Sequence, residues 1–307
     1  MIRATDFSTI SATLENLRRQ SVQFARAQEQ VSSGRRVNRP SDDPAALRIG
    51  LRETRRIDSL DSQTQALDQL RSTLSHTETS TREAHSILVR VREIALSGRQ
   101  SSEPTERQAL AQELGTLRER LISIANGKNG GISLFGGTAS DRLPFEKAAD
   151  GTVNYVGSEE PMSGSGELGD WAAVLPVGRD VFQTTVGTEV IDTFAVIADL
   201  RTTLEGAGSQ LATVTDSQFA QSLGDLEQLG DHLLQSIDKQ SLSLEQIDSA
   251  QSRFSDLKLE SETLRTQALS ADLPQSIVML QQTQTQTQFT MAALSKLFDT
   301  SLLNFLA

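Results

Sequence analysis

Apolar residues return at alternating intervals of three and four along the first thirty positions: Phe7, Ile10, Leu14, Leu17, a polar residue at 21, Phe24, a polar residue at 28, then Val31. Positions spaced this way form one stripe on an α-helix, and a stripe kept over several heptads predicts a coiled-coil seam. The stripe stops at Ser33-Gly34, where Gly34 supplies the left-handed conformation that ends a helix. In the loop that follows, Pro40 keeps Arg39 out of the helical region. Asp43 is then placed as N-cap of a second helix, with Pro44 at its first position, where a missing N–H costs nothing.

From Pro44 to Leu96 only Gly50 interrupts the pattern, and Leu60, Leu67, Leu70, Leu74, Ala84, Leu88, Val91 and Ala95 fall on one seam. At 1.5 Å per residue this predicts a helix of about 80 Å, too long to wrap one core and obliged to lie against other helices. Gly98 and Pro104 read as a turn. Leu110, Leu114, Leu117, Leu121 and Ile124 outline a shorter helix ending at Asn126-Gly127, and Asn129-Gly130-Gly131 is a strong turn signal. Over 131–190 the helical period disappears. The runs Ile132–Phe135, Thr152–Val156, Trp171–Val177 and Val181–Val186 predict a small β-rich domain.

Helical spacing resumes near Asp192 with Phe194, Ile197, Leu200 and Leu204, breaks at Gly206-Ala207-Gly208, and runs on from Leu226 to Ala268. Asp272-Leu273-Pro274 breaks or kinks this second long helix. A last segment carries Ile277, Leu280, Met291, Leu294, Phe298 and Phe305 on a seam whose positions 284 and 287 are polar. The Thr/Gln alternation over Gln281–Gln288 reads as helix because its flanks are helical. The expected fold is mainly α: an elongated helical coiled-coil bundle built from the N- and C-terminal segments, with a small β-rich central domain. Its divisions are an N-terminal assembly helix (1–40), long-helix bundle segments (41–130 and 191–274), the central domain (131–190) and a C-terminal assembly helix (275–307).

Composition sharpens this. The 307 residues are 37% hydrophobic and only 4% aromatic, a leucine-rich interior suited to long helices. A net charge of −11 argues against nucleic acid or an anionic membrane as partner, and the lack of cysteine excludes disulfides and thiol chemistry. Charge divides unevenly: 20 basic and 16 acidic residues in 1–130 against 9 and 24 in 131–307, so the halves are suited to face each other or a neighbouring copy. No run of 18 apolar residues occurs, so no membrane span is expected. The start, Met1-Ile2-Arg3-Ala4-Thr5-Asp6, has no apolar leader, so ordinary secretion is not expected.

Candidate chemistry is thin. Ser236-Ile237-Asp238-Lys239 and Ser255-Asp256-Leu257-Lys258 fit S-x-x-K, but serine-rich helices produce that spacing freely. His76, His85 and His232 lack metal-site spacing and are expected at solvent-facing positions. Gly130–Gly137 lacks the lysine and following helix of a phosphate loop. No catalytic residue, cofactor or metal is expected.

The run Ser32-Ser33-Gly34-Arg35-Arg36-Val37-Asn38-Arg39-Pro40-Ser41-Asp42-Asp43-Pro44-Ala45-Ala46 resembles the signature of the flagellin superfamily, S-S-G-x-R-[IV]-N-x-[PA]-x-D-D-P-A. Its Pro-Ser-Asp-Asp-Pro form, Phe135-Gly136-Gly137 and the closing Leu302-Leu303-Asn304-Phe305-Leu306 resemble the hook-associated junction branch more than filament flagellins. The resemblance covers about 1–140 and 225–307, with Pro274 a departure. It implies a non-enzymatic structural subunit of the bacterial flagellum, exported unfolded and extracellular in its final place. The implied partners are neighbouring copies of itself, the preceding hook-associated protein, flagellin and an export chaperone, with no nucleic acid and no membrane. The resemblance marks Gly34, Arg36, Asn38, Asp42, Asp43 and Pro44 as signature positions, and the seam residues Phe7, Ile10, Leu14, Leu17, Phe24, Val31, Ile277, Leu280, Met291, Leu294, Phe298 and Phe305 as the assembly surface.

Overall fold

The computed structural model describes residues 2–101, 103–139, 141–163, 174–206 and 214–306, without the side chains at 2–7, 9, 10, 163, 174, 214–216 and 297–306. In chain order the elements are α1 (Ile2–Ser33), α2 (Pro44–Gln100), α3 (Pro104–Ala125), β1 (Lys128–Asn129), β2 (Ile132–Ser133), β3 (Phe145–Lys147), β4 (Val153–Tyr155), β5 (Met162–Ser163), β6 (Val174–Leu175), α4 (Gly178–Phe182), β7 (Gln183–Val186), β8 (Glu189–Asp192), α5 (Thr193–Gly206), α6 (Val214–Leu269) and α7 (Leu273–Leu306). Among the described residues the strands pair as antiparallel hairpins, β1 with β2, β3 with β4, β5 with β6 and β7 with β8. Two compact units result: Met1–Asp61 with Ser255–Ala307, and Ser62–Phe254.

In the second unit, α2 and α6 run antiparallel in constant register. Gln251 donates to Asp68 at 2.7 Å, Arg71 pairs with Asp248 at 3.0 Å and Ser241 donates to Glu78 at 2.9 Å. One heptad series on α2, Leu67, Leu74, Thr81, Leu88 and Ala95, is buried, and so is its counterpart on α6, Phe219, Leu226, Leu233, Gln240, Ile247 and Phe254. Thr81 and Gln240 are the polar members of these series and meet: the Gln240 amide donates to Thr81 Oγ1 at 3.2 Å. A hydrogen-bonded pair in an apolar seam favours one register, because any slip would bury both groups unpaired.

Helix α3 packs closely on α5. Arg118 of α3 is buried because its guanidinium serves two backbone acceptors, Phe194 O at 2.9 Å and Gly151 O at 2.7 Å. Four phenylalanines gather here with Tyr155. Phe135, Phe145, Phe182 and Phe194 are fully buried with ring centroids 5.2–5.6 Å apart. Gly137 has a positive φ of 59°, and a Cβ on it would stand 2.6 Å from Glu160 O and 2.7 Å from Ser158 O. That position in the Phe135-Gly136-Gly137 turn therefore admits only glycine.

The predicted helices are present, with corrections at their ends. Helix α2 passes through Gly98 to Gln100. Gly98 is no turn but a hole for Leu204, which lies 2.6 Å from where a Cβ would be. The strand reading of 181–186 is half wrong: Val181 and Phe182 close the short helix α4, and the strand begins at Gln183. The hairpin partners β1, β3, β5 and β8 carry at most two consecutive apolar residues, so no strand pattern marks them in the sequence. Trp171 lies outside the described residues.

Candidate functional site: a pinned joint and a two-helix terminal pair

In the first unit both chain segments break, and the two breaks are bound together. Gly34 takes φ 68° and ends α1. Opposite it, Arg35 and Ser270 form an isolated antiparallel bridge, Ala271 N donates to Gly34 O at 3.0 Å, and Arg36 N donates to Leu269 O at 2.8 Å. The Arg36 guanidinium donates to Ala268 O at 3.0 Å and to Asp43 at 3.2 Å. It thereby satisfies the last carbonyls of α6, which have no partner within the helix, and binds them to the cap of α2.

Asp43 is that cap: its Oδ1 accepts from Ala45 N at 3.1 Å and Ala46 N at 2.9 Å. Asp42 closes the loop by accepting from Arg39 N at 2.9 Å and Asn38 N at 3.2 Å. These backbone donors, from Ala46 to Asp43 and from Arg39 to Asp42, are the largest causes holding both carboxyls below the ordinary aspartate value. Asn38 Nδ2 donates to Arg35 O at 3.2 Å, and Pro44 opens α2. The signature residues Gly34, Arg36, Asn38, Asp42, Asp43 and Pro44 thus form one local structure. Pro274 does not kink a continuous helix. The break is at Ser270–Asp272, Asp272 Oδ1 accepts from Gln275 N at 3.1 Å as a second cap, and Pro274 sits in the first turn of α7. Asp272-Leu273-Pro274 therefore repeats the logic of Asp43-Pro44.

Beyond the joint, α1 packs on α7. The covered stripe on α1 runs through Thr13, Leu17, Gln20, Phe24, Ala27 and Val31, all buried or half-buried. On α7 it runs through Ser276, Leu280, Thr283, Thr287, Thr290 and Leu294. Both are four–three heptads. Leu17, Phe24, Val31, Leu280 and Leu294 lie where the sequence pattern puts them. The alternate positions are each shifted by one residue, so Leu14, Ile277 and Met291 lie outside the intramolecular seam, 48%, 44% and 55% exposed. Small and hydroxylated residues take their place: Thr290 donates to Gln20 at 2.8 Å, and the Thr283 and Thr287 hydroxyls donate to their own helix. The side chains of Phe7, Ile10, Phe298 and Phe305 lie outside the described ones.

The outer face of α7 is unusual in having no charged residue from Leu273 to Ser295. Apolar side chains, with glutamines between them, fill it: Leu273, Ile277, Val278, Met279, Phe289 and Met291 are all exposed. No helix among the described residues is long and apolar enough to cross a membrane.

The remaining candidates are accounted for locally. Lys258 of the second S-x-x-K run is paired with Asp61 at 2.6 Å, and Ser236 of the first accepts from the Gln240 amide at 3.1 Å. Of the histidines only His76 is exposed; His85 and His232 are half-buried, and His232 Nε2 lies 2.6 Å from Asp180 O, contrary to the solvent-facing expectation. Among the described residues, no group of three or more His, Asp or Glu side chains is placed to hold a metal ion.

Residues 7–140 match the family of the bacterial flagellin N-terminal helical region. The chain is 27% identical over 184 residues to a flagellin of Clostridium tyrobutyricum, covering 60% of this chain and 45% of that one. It is 26% identical over 170 residues to flagellar hook-associated protein 3 of Salmonella typhimurium, covering 53% of this chain and 51% of that one. The chain thus spans about half the length of these two relatives. In structure it is similar to a flagellar hook-associated protein of Vibrio parahaemolyticus, with a TM-score of 0.65 and 20% identity over 75% of this chain and 100% of that one, a likeness of fold.

Proposed function

We propose that this chain, whose residues 7–140 match the bacterial flagellin N-terminal helical region, is the structural subunit joining the hook-associated zone of the bacterial flagellum to the flagellin filament. The observation that carries this is the α1–α7 pair. Its inner seam alternates large apolar residues with small and hydroxylated ones, while the outer face of α7 is uncharged and carries several large apolar side chains. Solvent gives no reason to keep Ile277, Val278, Phe289 and Met291 exposed on one helix. Packing against neighbouring subunits does, at about 1.5–3 kcal/mol for each large side chain covered. The hook-associated fold favours a junction subunit. Under this reading the protein is exported unfolded, takes its place outside the cell, and contacts the preceding hook-associated protein on one side and flagellin on the other. A cytosolic export chaperone holds the C-terminal segment beforehand.

The family also contains filament flagellins, and the Clostridium relative is one. The two roles differ in a measurable way: a filament flagellin polymerises into long filaments, whereas a junction subunit stops after a short zone. A strain lacking this protein is expected to build hooks and shed its flagellin into the medium. The wild-type gene restores filaments; Leu294→Asp, which buries an unpaired carboxylate in the α1–α7 seam, does not. Filaments that persist on hooks of the deletion strain would refute the junction role.

A further inference from the structure

Helix α2 treats its arginines in two ways. Within the second unit they are engaged: Arg71 with Asp248, Arg82 with Glu78, Arg90 with Glu113 at 2.9 Å. In its first four turns Arg48, Arg55 and Arg56 have no hydrogen-bond or ion-pair partner among the described residues, and Arg52 has only its neighbour Glu53. All four are exposed. Their spacing of four, seven and eight residues from Arg48 gathers them on one face, opposite the buried Ala46, Gly50, Glu53 and Ile57. Exposed Ile49 and Leu51 flank them. Unpaired guanidinium groups edged by apolar side chains have the composition of a protein interface. No aromatic residue lies between Pro44 and Asp61, so nothing there would stack on nucleic-acid bases.

The same chain carries a matching surface. The first unit holds 14 basic and 13 acidic residues and the second 15 and 27, a net +1 against −12. Glu189, Asp199 and Asp225 line one groove of the second unit and make no ion pair among the described residues. Burial, together with Glu189 and Asp199, holds the Asp225 carboxyl above its ordinary range, the mark of like charges left unrelieved. We propose that the Arg48–Arg56 stripe of one copy docks on the Glu189–Asp199–Asp225 groove of a neighbouring copy. The two surfaces differ, so the contact is head-to-tail, the kind that closes into rings or continues as a helix. This rests on the reading that copies stand side by side in the flagellum.

Because the chain has no cysteine, Arg55→Cys combined with Asp199→Cys reports the contact directly. Concentrated purified protein carrying both is expected to form disulfide-linked dimers and larger species under mild oxidation, and either single variant much less. Equal cross-linking by the single variants, or none by the pair, overturns the proposal. In cells, Arg48→Glu, Arg55→Glu and Arg56→Glu together are expected to cut retained flagellin at least tenfold without changing the melting of the purified chain. Adding Glu189→Arg and Asp199→Arg to the same chain should restore retention. No loss, or no restoration in a chain that still melts normally, overturns the docking but leaves the junction role standing. If the deletion strain keeps its filaments, that role fails, while cross-linking still decides the contact. Binding of duplex DNA or anionic vesicles at physiological salt, lost in the triple variant, would assign the stripe to another partner and overturn the proposal.

Discussion

Phe135, Phe145, Phe182 and Phe194 are fully buried in the second unit, whereas in the first Phe289 is 72% exposed and shares the outside of α7 with Val278 and Met291. Both units are built from helices with heptad spacing, so secondary structure does not separate them. The difference is where the large side chains go. The second unit closes its core with its own hairpins, aromatics and α3–α5 layer. The first pairs two helices through a seam in which Leu17, Phe24, Val31, Leu280 and Leu294 alternate with Thr13, Gln20, Ala27, Thr283 and Thr290, and it leaves Ile277, Val278, Phe289 and Met291 exposed. The second unit closes on itself; under the proposed role the first is completed by neighbours.

Truncating the closed core should break this contrast most severely. Phe145→Ala removes a ring that contacts Tyr155, Phe182 and Phe194, and should destabilise the second unit by about 3–5 kcal/mol in denaturant melts. Gly50→Ala is the next test, this time within the first unit. A Cβ there would stand 2.5 Å from Leu269 Cδ1, so the overpacking cost of about 1–3 kcal/mol, less the roughly 0.5–1 kcal/mol that alanine gains over glycine within a helix, should leave a net loss of about 1 kcal/mol. A Gly50→Ala chain more stable than wild type would mean that Leu269 moves aside without loss of packing.

The joint should respond more gently. Asp43→Ala removes the cap of α2 and one arm of Arg36 and should lower the melting of the first unit, while Asp43→Asn, which keeps an acceptor, should lower it less. Both carboxyls of the joint titrate below the ordinary aspartate value of 3.8 in the folded chain, so their stabilisation is complete above that pH and is lost as pH falls beneath it. An acid titration followed by exchange of the Ala46 and Arg39 amides would show both released together. The smallest effect on stability is expected at the exposed face. Ile277→Ser with Met291→Ser should change monomer stability by no more than about 0.5 kcal/mol yet abolish incorporation into flagella. A large loss of monomer stability would mean these side chains already serve the single chain.

Much of this was legible in the sequence. Helices persist over heptads, and caps announce themselves: Asp43-Pro44, Gly34 and the break at Asp272 were all visible. The α1–α7 seam was legible only at alternate positions. Leu17, Phe24, Leu280 and Leu294 recur at multiples of seven residues and lie inside, but a search for apolar spacing prefers Leu14, Ile277 and Met291 to their neighbours Thr13, Ser276 and Thr290, although hydroxyls such as those of Thr283 and Thr290 are satisfied by carbonyls of their own helix. The Arg36 clasp joins residues more than two hundred positions apart, so no local pattern announces it. Hairpin strands such as Phe145–Lys147 are two to four residues long and owe their pairing to the aromatic core rather than to alternation.

Under the proposed role the second unit is complete in the free chain and the first is completed by assembly. Amide hydrogen exchange, measured residue by residue on the monomer and on isolated flagella, tests it directly. Helices α3 and α5 and the 62–100 part of α2 should be strongly protected in both states. Helices α1 and α7 should exchange quickly in the monomer and become protected by at least a hundredfold in the flagellum. Equal protection of α1 and α7 in both states would contradict the account.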